Sequence, residues 1–390
     1  MPWKDASIME ERVFFINEYR SGIWTITDLC NEYGISRTLG YKYIKRFESF
    51  GMRGLIDLPK TPHSSPNKTP KSIEDNIIQL RKEHPRYGPE KLYTKLSELH
   101  PEKRWPALST INLILKRNDM IPKRRRIRRI QPNKPIFDPS EPNQLWSADY
   151  KGKYRMDDHN YVYPLTIADS FSRFLLAAQG LMNATYKETK SVYIDVFRKY
   201  GMPLQLHTDN GSPFAGPTAL ARLSSLAVWL LEHGVIPVYS DPGCPGQNGR
   251  HERMHRELKA EVARHPAANR TLNQKRLDAF VNEYNTYRPH KALGNLTPAS
   301  VHVRSNREYS SEVIPWDYPR EYSVSRVCKN GAIRWGSDHW IMVATPLIGK
   351  DIGLMELGNG IWRVFFRSKL LGYLDEKCFR IQDEKGRTKR

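Results

Sequence analysis

Residues 145–152 read Leu145-Trp146-Ser147-Ala148-Asp149-Tyr150-Lys151-Gly152, an apolar run closed by a glycine and carrying one carboxylate inside it. The run is strand-like. A carboxylate is costly to bury, so an acid within an apolar strand asks for a compensating cation. Two further acids stand in related settings. Asp209, in HTDNGSPF, follows the strand-like segment Leu204 to Thr208 and precedes the turn pair Asn210-Gly211, and Glu252, in PGQNGRHERMHRELK, opens a helix. Hard oxygen ligands favour Mg²⁺ or Mn²⁺, and two such ions about 3.5–4 Å apart stabilise both the attacking and the leaving oxygen of an in-line displacement. The expected chemistry is therefore phosphodiester chemistry, with Asp149, Asp209 and Glu252 as both catalytic residues and metal ligands.

The pattern around these acids predicts the fold. From 136 to about 300 there are strand-like segments at Leu145 to Lys151, Tyr161 to Ala168 and Phe174 to Gln179. An amphipathic helix with Val192, Val196 and Tyr200 comes next, then strand Leu204 to Thr208, a helix around Pro217 to His233, strand Val235 to Tyr239 and the helix from Gly249. Hairpin strands followed by alternating helix and strand indicate an α/β, ribonuclease-H-like core with a mixed sheet. In it the first and fourth strands are neighbours, which brings Asp149 beside Asp209. On the helix from Gly249, Glu252, Arg256 and Lys259 share one face and Met254, Leu258 and Val262 form an apolar stripe on the other. Arg256 and Lys259 are read as DNA contacts, although Lys259 also suits a surface pair with Glu252 or Glu257. Asp169, in IADSFSR, is the strongest rival acid, and Ser172 and Arg173 beside it suggest a structural role; Glu257 and Glu261 are alternatives to Glu252 as the third ligand but lie farther along the helix from the loop that faces the site.

Upstream, residues 1–60 hold three helical patterns. The last two are separated by Gly34-Ile35-Ser36, which is helix-turn-helix spacing. Glycine permits the turn, Ile35 plugs the core, Ser36 caps the next helix, and that helix presents Arg37, Lys42, Lys45 and Arg46 to DNA. Residues 61–70 read as a Pro-rich linker and 71–121 as a second helix-turn-helix-like module, its last helix capped by Ser109. Between 101 and 135 there are 11 Lys plus Arg against 2 Asp plus Glu, a local charge of +9. The run Lys123, Arg124, Arg125, Arg126, Arg128 and Arg129, within a linker at 122–135, repels itself unless phosphates neutralise it. Downstream, 318–385 is short strands with turn glycines, which predicts a small β-barrel.

Composition agrees with a nucleic-acid partner: 62 Lys plus Arg against 42 Asp plus Glu in 390 residues leaves a net charge of +20. No apolar stretch approaches a spanning helix and the start, MPWKDASIMEER, lacks a signal-peptide core, so the expectation is a cytoplasmic, nucleoid-associated protein with no membrane partner. The four cysteines, Cys30, Cys244, Cys328 and Cys378, form no CxxC pair and are read as packed thiols; neither they nor the 12 histidines are read as a zinc site.

The ordered set WSADYKG, ADSFSR, HTDNGSPF, PGQNGRHERMHRELKAE and EYNTYRPHKALGNLTPAS resembles insertion-sequence transposases of the DDE, retroviral-integrase-like superfamily over nearly the whole chain. The resemblance implies binding of terminal inverted repeats on double-stranded DNA, metal-dependent cleavage and strand transfer with no covalent protein–DNA intermediate, and Asp149, Asp209 and Glu252 as ligands to Mg²⁺ or Mn²⁺, with two ions expected. It also implies a catalytic core at 136–310 and a homo-oligomer, because an element has two ends. Two departures stand out. The 43 positions from Asp209 to Glu252 exceed the commonest family spacing, through an expected extra helix around Pro217 to Ala227, and helix-turn-helix units replace the zinc-binding module of retroviral integrases. The competing readings are a non-cutting repressor or architectural protein derived from a transposase, and a serine or tyrosine recombinase, which would form a covalent adduct with DNA.

Overall fold

A computed structural model describes residues 7–58, 68–121, 137–216, 219–241 and 245–383. The basic residues Lys123, Arg124, Arg125, Arg126, Arg128 and Arg129 lie outside the described residues, as do Cys244 and most of the expected linker. The chain divides into a unit of residues 1–70 and a second of residues 71–390.

In the first unit α1 (Ile8–Ser21), α2 (Ile26–Glu32) and α3 (Arg37–Phe50) each begin at a hydroxyl cap, Ser7, Thr25 and Ser36, that accepts a backbone N–H of the first turn. Phe15, Ile16, Leu29, Cys30, Ile44 and Leu55 form the core, and Ile35 packs on it from the turn. Gly40 lets α3 approach α2 closely, since a Cβ there would lie 2.6 Å from Cys30 Sγ. Cys30 is thus a packed thiol as expected, whereas Cys378 is exposed and Cys328 only half-buried.

The second unit opens with α4 (Lys71–Glu83), α5 (Pro89–Leu99) and α6 (Leu108–Arg117) around Ile77, Leu80, Leu92, Leu96, Ile111 and Ile114. The expected Ser109 cap is not made: Ala107 holds the cap position, without a side-chain hydrogen bond.

Then come β1 (Leu145–Tyr150), β2 (Tyr154–Arg155), β3 (Tyr161–Asp169), β4 (Leu175–Leu181), α7 (Tyr186–Tyr200), β5 (Gln205–Thr208), α8 (Ser225–Glu232), β6 (Ile236–Tyr239), α9 (Gly249–Leu258), α10 (Arg270–Thr286) and α11 (Pro298–Val301). The sheet order is β2-β3-β1-β5-β6 with β4 also on β3; β1, β3 and β4 run antiparallel, while β1, β5 and β6 run parallel. This is the mixed sheet of a ribonuclease-H-like core. One face packs on α7 and α8 through Trp146, Leu165, Phe197, Leu206 and Trp229, the other on α9 and α10 through Leu175, Met254, Leu258, Leu277 and Phe280.

The helix expected from Pro217 begins only at Ser225, where Ser224 caps it by accepting from Ala227 N–H. Among the described residues before it, 219–224 form a loop with a short 3₁₀ turn at Leu220–Arg222, and Ala221 and Arg222 hold positive φ there. The long interval between Asp209 and Glu252 is therefore not extra helix. Leu220, Ala221 and Leu223 of this loop pack instead into the core of the C-terminal region.

That region holds β7 (Ser323–Arg326), β8 (Ala332–Trp335), β9 (His339–Met342), β10 (Asp351–Gly358), β11 (Ile361–Phe366), β12 (Lys369–Asp375) and β13 (Arg380–Gln382). Five strands form an antiparallel sheet, β13-β12-β11-β10-β7, and β8–β9 is a separate hairpin sharing its core through Ile333 and Ile341. The strand order is open, with β7 and β13 at the edges, so closure into the expected barrel is not shown.

Candidate active site

Parallel pairing of β1 with β5 matches Ala148 to Thr208, so Asp149 and Asp209 are the next residues on adjacent strands. The sheet brings together two acids 60 positions apart in sequence. The Asp149 side chain is 21% exposed. Its carboxyl is pushed up to about 7, first by burial and then by the negative charges of Asp209 and Glu252, with its own backbone neighbour Tyr150 and the Lys151 ammonium pulling the other way. All three acids thus register at one carboxyl group.

Asp209 is exposed at the strand end, where its Oδ1 accepts Gly211 N–H at 3.0 Å in the turn that the Asn-Gly pair predicts. Asn210 donates to Ser240 O at 2.8 Å, and Arg222 donates to Asn210 Oδ1 at 2.6 Å. The loop after Asp209 thereby ties down the turn that carries it.

Glu252 stands exposed on α9. The opposite face of this helix buries His251, Met254, His255 and Leu258. The two histidines were not among the residues picked out by sequence, although their i, i+4 spacing within the apolar stripe was the available signal. Thr166, on β3 opposite Asp149, donates its hydroxyl proton to Asp149 O at 3.0 Å. Its Oγ1 also lies 2.6 Å from Nε2 of both His251 and His255. A hydroxyl has one proton and two lone pairs, so with its proton given to Asp149 it accepts from both rings, which places a proton on each Nε2. His251 Nδ1 is then free to accept from Ser147 Oγ at 2.9 Å. Burial keeps both rings neutral: His255 falls to about 3, and His251 is driven well below the usual histidine value. The contact of 3.6 Å between His255 Nδ1 and Asp149 Oδ2 is accordingly not an ion pair near neutrality. The network braces the strand position of Asp149 from the α9 side.

Asp169 is structural in its geometry. It is fully buried at the end of β3, and its oxygens accept from Ser172 N–H (3.0 Å), Ser172 Oγ and Asn143 N–H (3.2 Å), with His302 beside it. Burial pushes its pKa up, but the His302 side chain, then Ser172 and the Asn143 N–H, outweigh this and hold it below the ordinary value. Glu257 and Glu261 are also engaged, as partners of the buried Arg288 at 3.0 and 2.6 Å. Arg288 bonds Glu283 too, at 2.9 Å, and from the helical module Arg86 binds Glu257 at 2.6 Å while Tyr87 donates to Glu283 at 2.9 Å. Arg256 and Lys259 are exposed and make no ion pair among the described residues.

On α3, Arg37, Lys42 and Lys45 are exposed, whereas Arg46 is half-buried and donates to Ile56 O across the end of its own unit. Its charge is partly committed to holding the fold.

Among the described residues no group of three or more His, Cys, Asp or Glu side chains is already gathered so as to hold a metal ion. The donor set nevertheless suits a hard divalent cation: three carboxylates, all oxygen, one of them left short of positive charge. No helix among the described residues is long and apolar enough to cross a membrane.

Parts of the chain match known families and proteins. Residues 139–245 and 233–298 match integrase core domain families, residues 11–63 a helix-turn-helix domain and residues 40–115 a homeodomain-like domain. The insertion element IS476 uncharacterized 39.2 kDa protein of Xanthomonas euvesicatoria is 22% identical over 256 residues, 65% of this chain and 70% of that one. The Gag-Pol polyprotein of avian reticuloendotheliosis virus is 27% identical over 124 residues, 32% of this chain and 10% of the polyprotein. Among solved structures, the HTLV-2 integrase catalytic core with magnesium, in its trimeric form, aligns with a TM-score of 0.34 at 18% identity, over 42% of this chain and 99% of that one. The simian T-cell lymphotropic virus intasome with the B56 gamma subunit of PP2A aligns at 0.37 and 15% identity, over 75% and 97%. Fold and sequence thus define a protein with an integrase core behind helix-turn-helix domains. More particularly, they support an insertion-sequence transposase with an integrase-like core.

Proposed function

We propose that this protein binds the terminal inverted repeats of an insertion sequence and catalyses metal-dependent strand cleavage and strand transfer, with Asp149, Asp209 and Glu252 as the catalytic, metal-holding acids. The observation that carries the reading is the parallel register of β1 and β5, which sets Asp149 beside Asp209 at the rim of the sheet; burial and then the charges of Asp209 and Glu252 raise the Asp149 carboxyl. One or two Mg²⁺ or Mn²⁺ ions there would supply positive charge to the attacking and leaving oxygens of the phosphodiester.

The chain's own residues then have separable tasks. Thr166, His251 and His255 brace Asp149; the turn of Asn210 and Arg222 fixes Asp209. Arg256 and Lys259, on the helix that carries Glu252, bind phosphates near the reacting bond. Arg37, Lys42 and Lys45, with Arg46 in a partly structural role, read the element ends from α3. The run Lys123, Arg124, Arg125, Arg126, Arg128 and Arg129 adds phosphate contacts without base readout. A homo-oligomer follows from the need to hold two ends at once.

The test is nicking and joining of an end-containing duplex in Mg²⁺, beside EDTA. Asp149→Asn, Asp209→Asn and Glu252→Gln should each reduce joining by at least about 10³-fold, as expected for loss of a ligand to a charge-stabilising ion, while duplex affinity stays within about twofold. Any one of them joining at the wild-type rate removes that residue from the site. A wild-type protein that binds the ends and never cuts with any divalent ion would be a repressor instead.

A further inference from the structure

On another flank of α9 from Glu252 lies a second group of charges that the metal chemistry does not use. Arg250 and Arg253 are three positions apart and so share a face of α9, and Arg173 approaches from the turn between β3 and β4. Arg250 donates to Ser170 O at 3.1 Å in that same turn and to the exposed Asp138 carboxylate. Arg253 is exposed and has no ion pair among the described residues. Arg173 Nη1 is buried with no hydrogen-bond partner, and the residue holds φ at 63°, a left-handed backbone that is uncommon outside glycine. Burial and then the neighbouring Arg250 bring its guanidinium down to about 10, with Arg253 adding to the effect. Arg250 and Arg173 thus share one acid, Asp138, with the charge of Arg253 nearby, and one buried N–H is left unmatched. Such an arrangement is costly unless an anion completes it.

We propose that Arg173, Arg250 and Arg253 form a phosphate-binding site, occupied in the working protein by a backbone phosphate of DNA. Phosphate suits the donors, because guanidinium groups bind tetrahedral oxyanions through paired N–H groups. The site lies on the side of α9 away from Asp149, so it holds DNA flanking the reacting phosphodiester rather than the reacting group itself. The assignment to DNA rests on the function proposed above; the phosphate chemistry does not.

The experiment uses the full chain with Arg173→Gln, Arg253→Gln and the double substitution. In one arm inorganic phosphate is titrated at constant ionic strength and thermal stability is followed; in the other, duplex affinity is measured against salt. Phosphate should raise the wild-type melting temperature and leave that of the double variant unmoved. Each single variant should make the slope of log Kobs against log salt shallower by about 0.9, the loss of one phosphate contact. A phosphate response as large in the double variant as in the wild type, or an unchanged salt slope in Arg253→Gln, whose exposed position leaves folding intact, would overturn the site. A phosphate response that needs these arginines in a chain that binds no duplex would uphold the site, with free phosphate as its ligand, and would refute the DNA reading instead.

Discussion

Asp149 has to be negative to bind a cation, yet the folded protein resists that charge. Its carboxyl titrates at about 7 in the folded chain, against about 3.9 when unfolded. Between those values the folded state holds a proton that the unfolded state has released, so this group lowers stability as pH rises through the window, and its full cost is present above about 7. Without metal, Asp149→Asn should therefore be more stable than wild type at pH 8, by on the order of 5 °C in melting temperature, and the gap should close towards pH 4. Mg²⁺ at pH 8 should raise the melting temperature of the wild type and not of Asp149→Asn. Calorimetry in EDTA and in Mg²⁺ checks both. An Asn variant less stable than wild type at every pH would show that the carboxylate is satisfied by the protein alone.

The helix α9 shows what pattern reading captures and what it leaves out. Its apolar stripe, Met254, Leu258 and Val262, is buried as the 3.6-residue period requires, and the parallel neighbours β1 and β5 follow from the order of strands. His251 and His255 lie in the same stripe, but a polar residue in a buried row is invisible to a count of apolar positions until its partners on β1 and β3 are known. The acids Glu257 and Glu261 read as alternative third ligands, because Arg288, which binds both, is 27 or more positions away. The helix also loosens into a π turn at Lys259–Ala263, for which the sequence carries no signal. The helix expected around Pro217 starts only at Ser225, behind the Ser224 cap. Arg288 holds three carboxylates from α9, α10 and the π turn with a side chain 3% exposed. Arg288→Ala should cost about 3–5 kcal/mol of folding free energy, since it strands those charges in a half-buried site. Urea unfolding measures it, and a loss below 1 kcal/mol would mean that water already serves the carboxylates.

Taken whole, residues 71–390 behave as one body because single elements serve two neighbours. The module of α4, α5 and α6 is tied by Arg86, Tyr87 and Glu90 to Glu257, Glu283 and Lys291, so it sits against the helix that carries Glu252. At the other end α8 is buried on every side. Leu226, Trp229 and Leu230 enter the core under the mixed sheet, while Ala227, Val228 and Leu231 enter the core under the C-terminal strands. Arg367, on the turn after β11, donates to Leu231 O at 3.2 Å, Glu232 O at 2.9 Å and Ile314 O at 2.7 Å, closing the end of the same helix.

A helix with no wet side cannot be left half-dressed. A chain stopped at residue 310 would bare the greasy flank of α8 and strip its last carbonyls of their donor, so it should precipitate or bind a hydrophobic dye where the full chain does not. Soluble, monodisperse protein from that truncation would show that the closing strands are a detachable appendage, whereas we expect them to be a garment that the integrase core cannot take off.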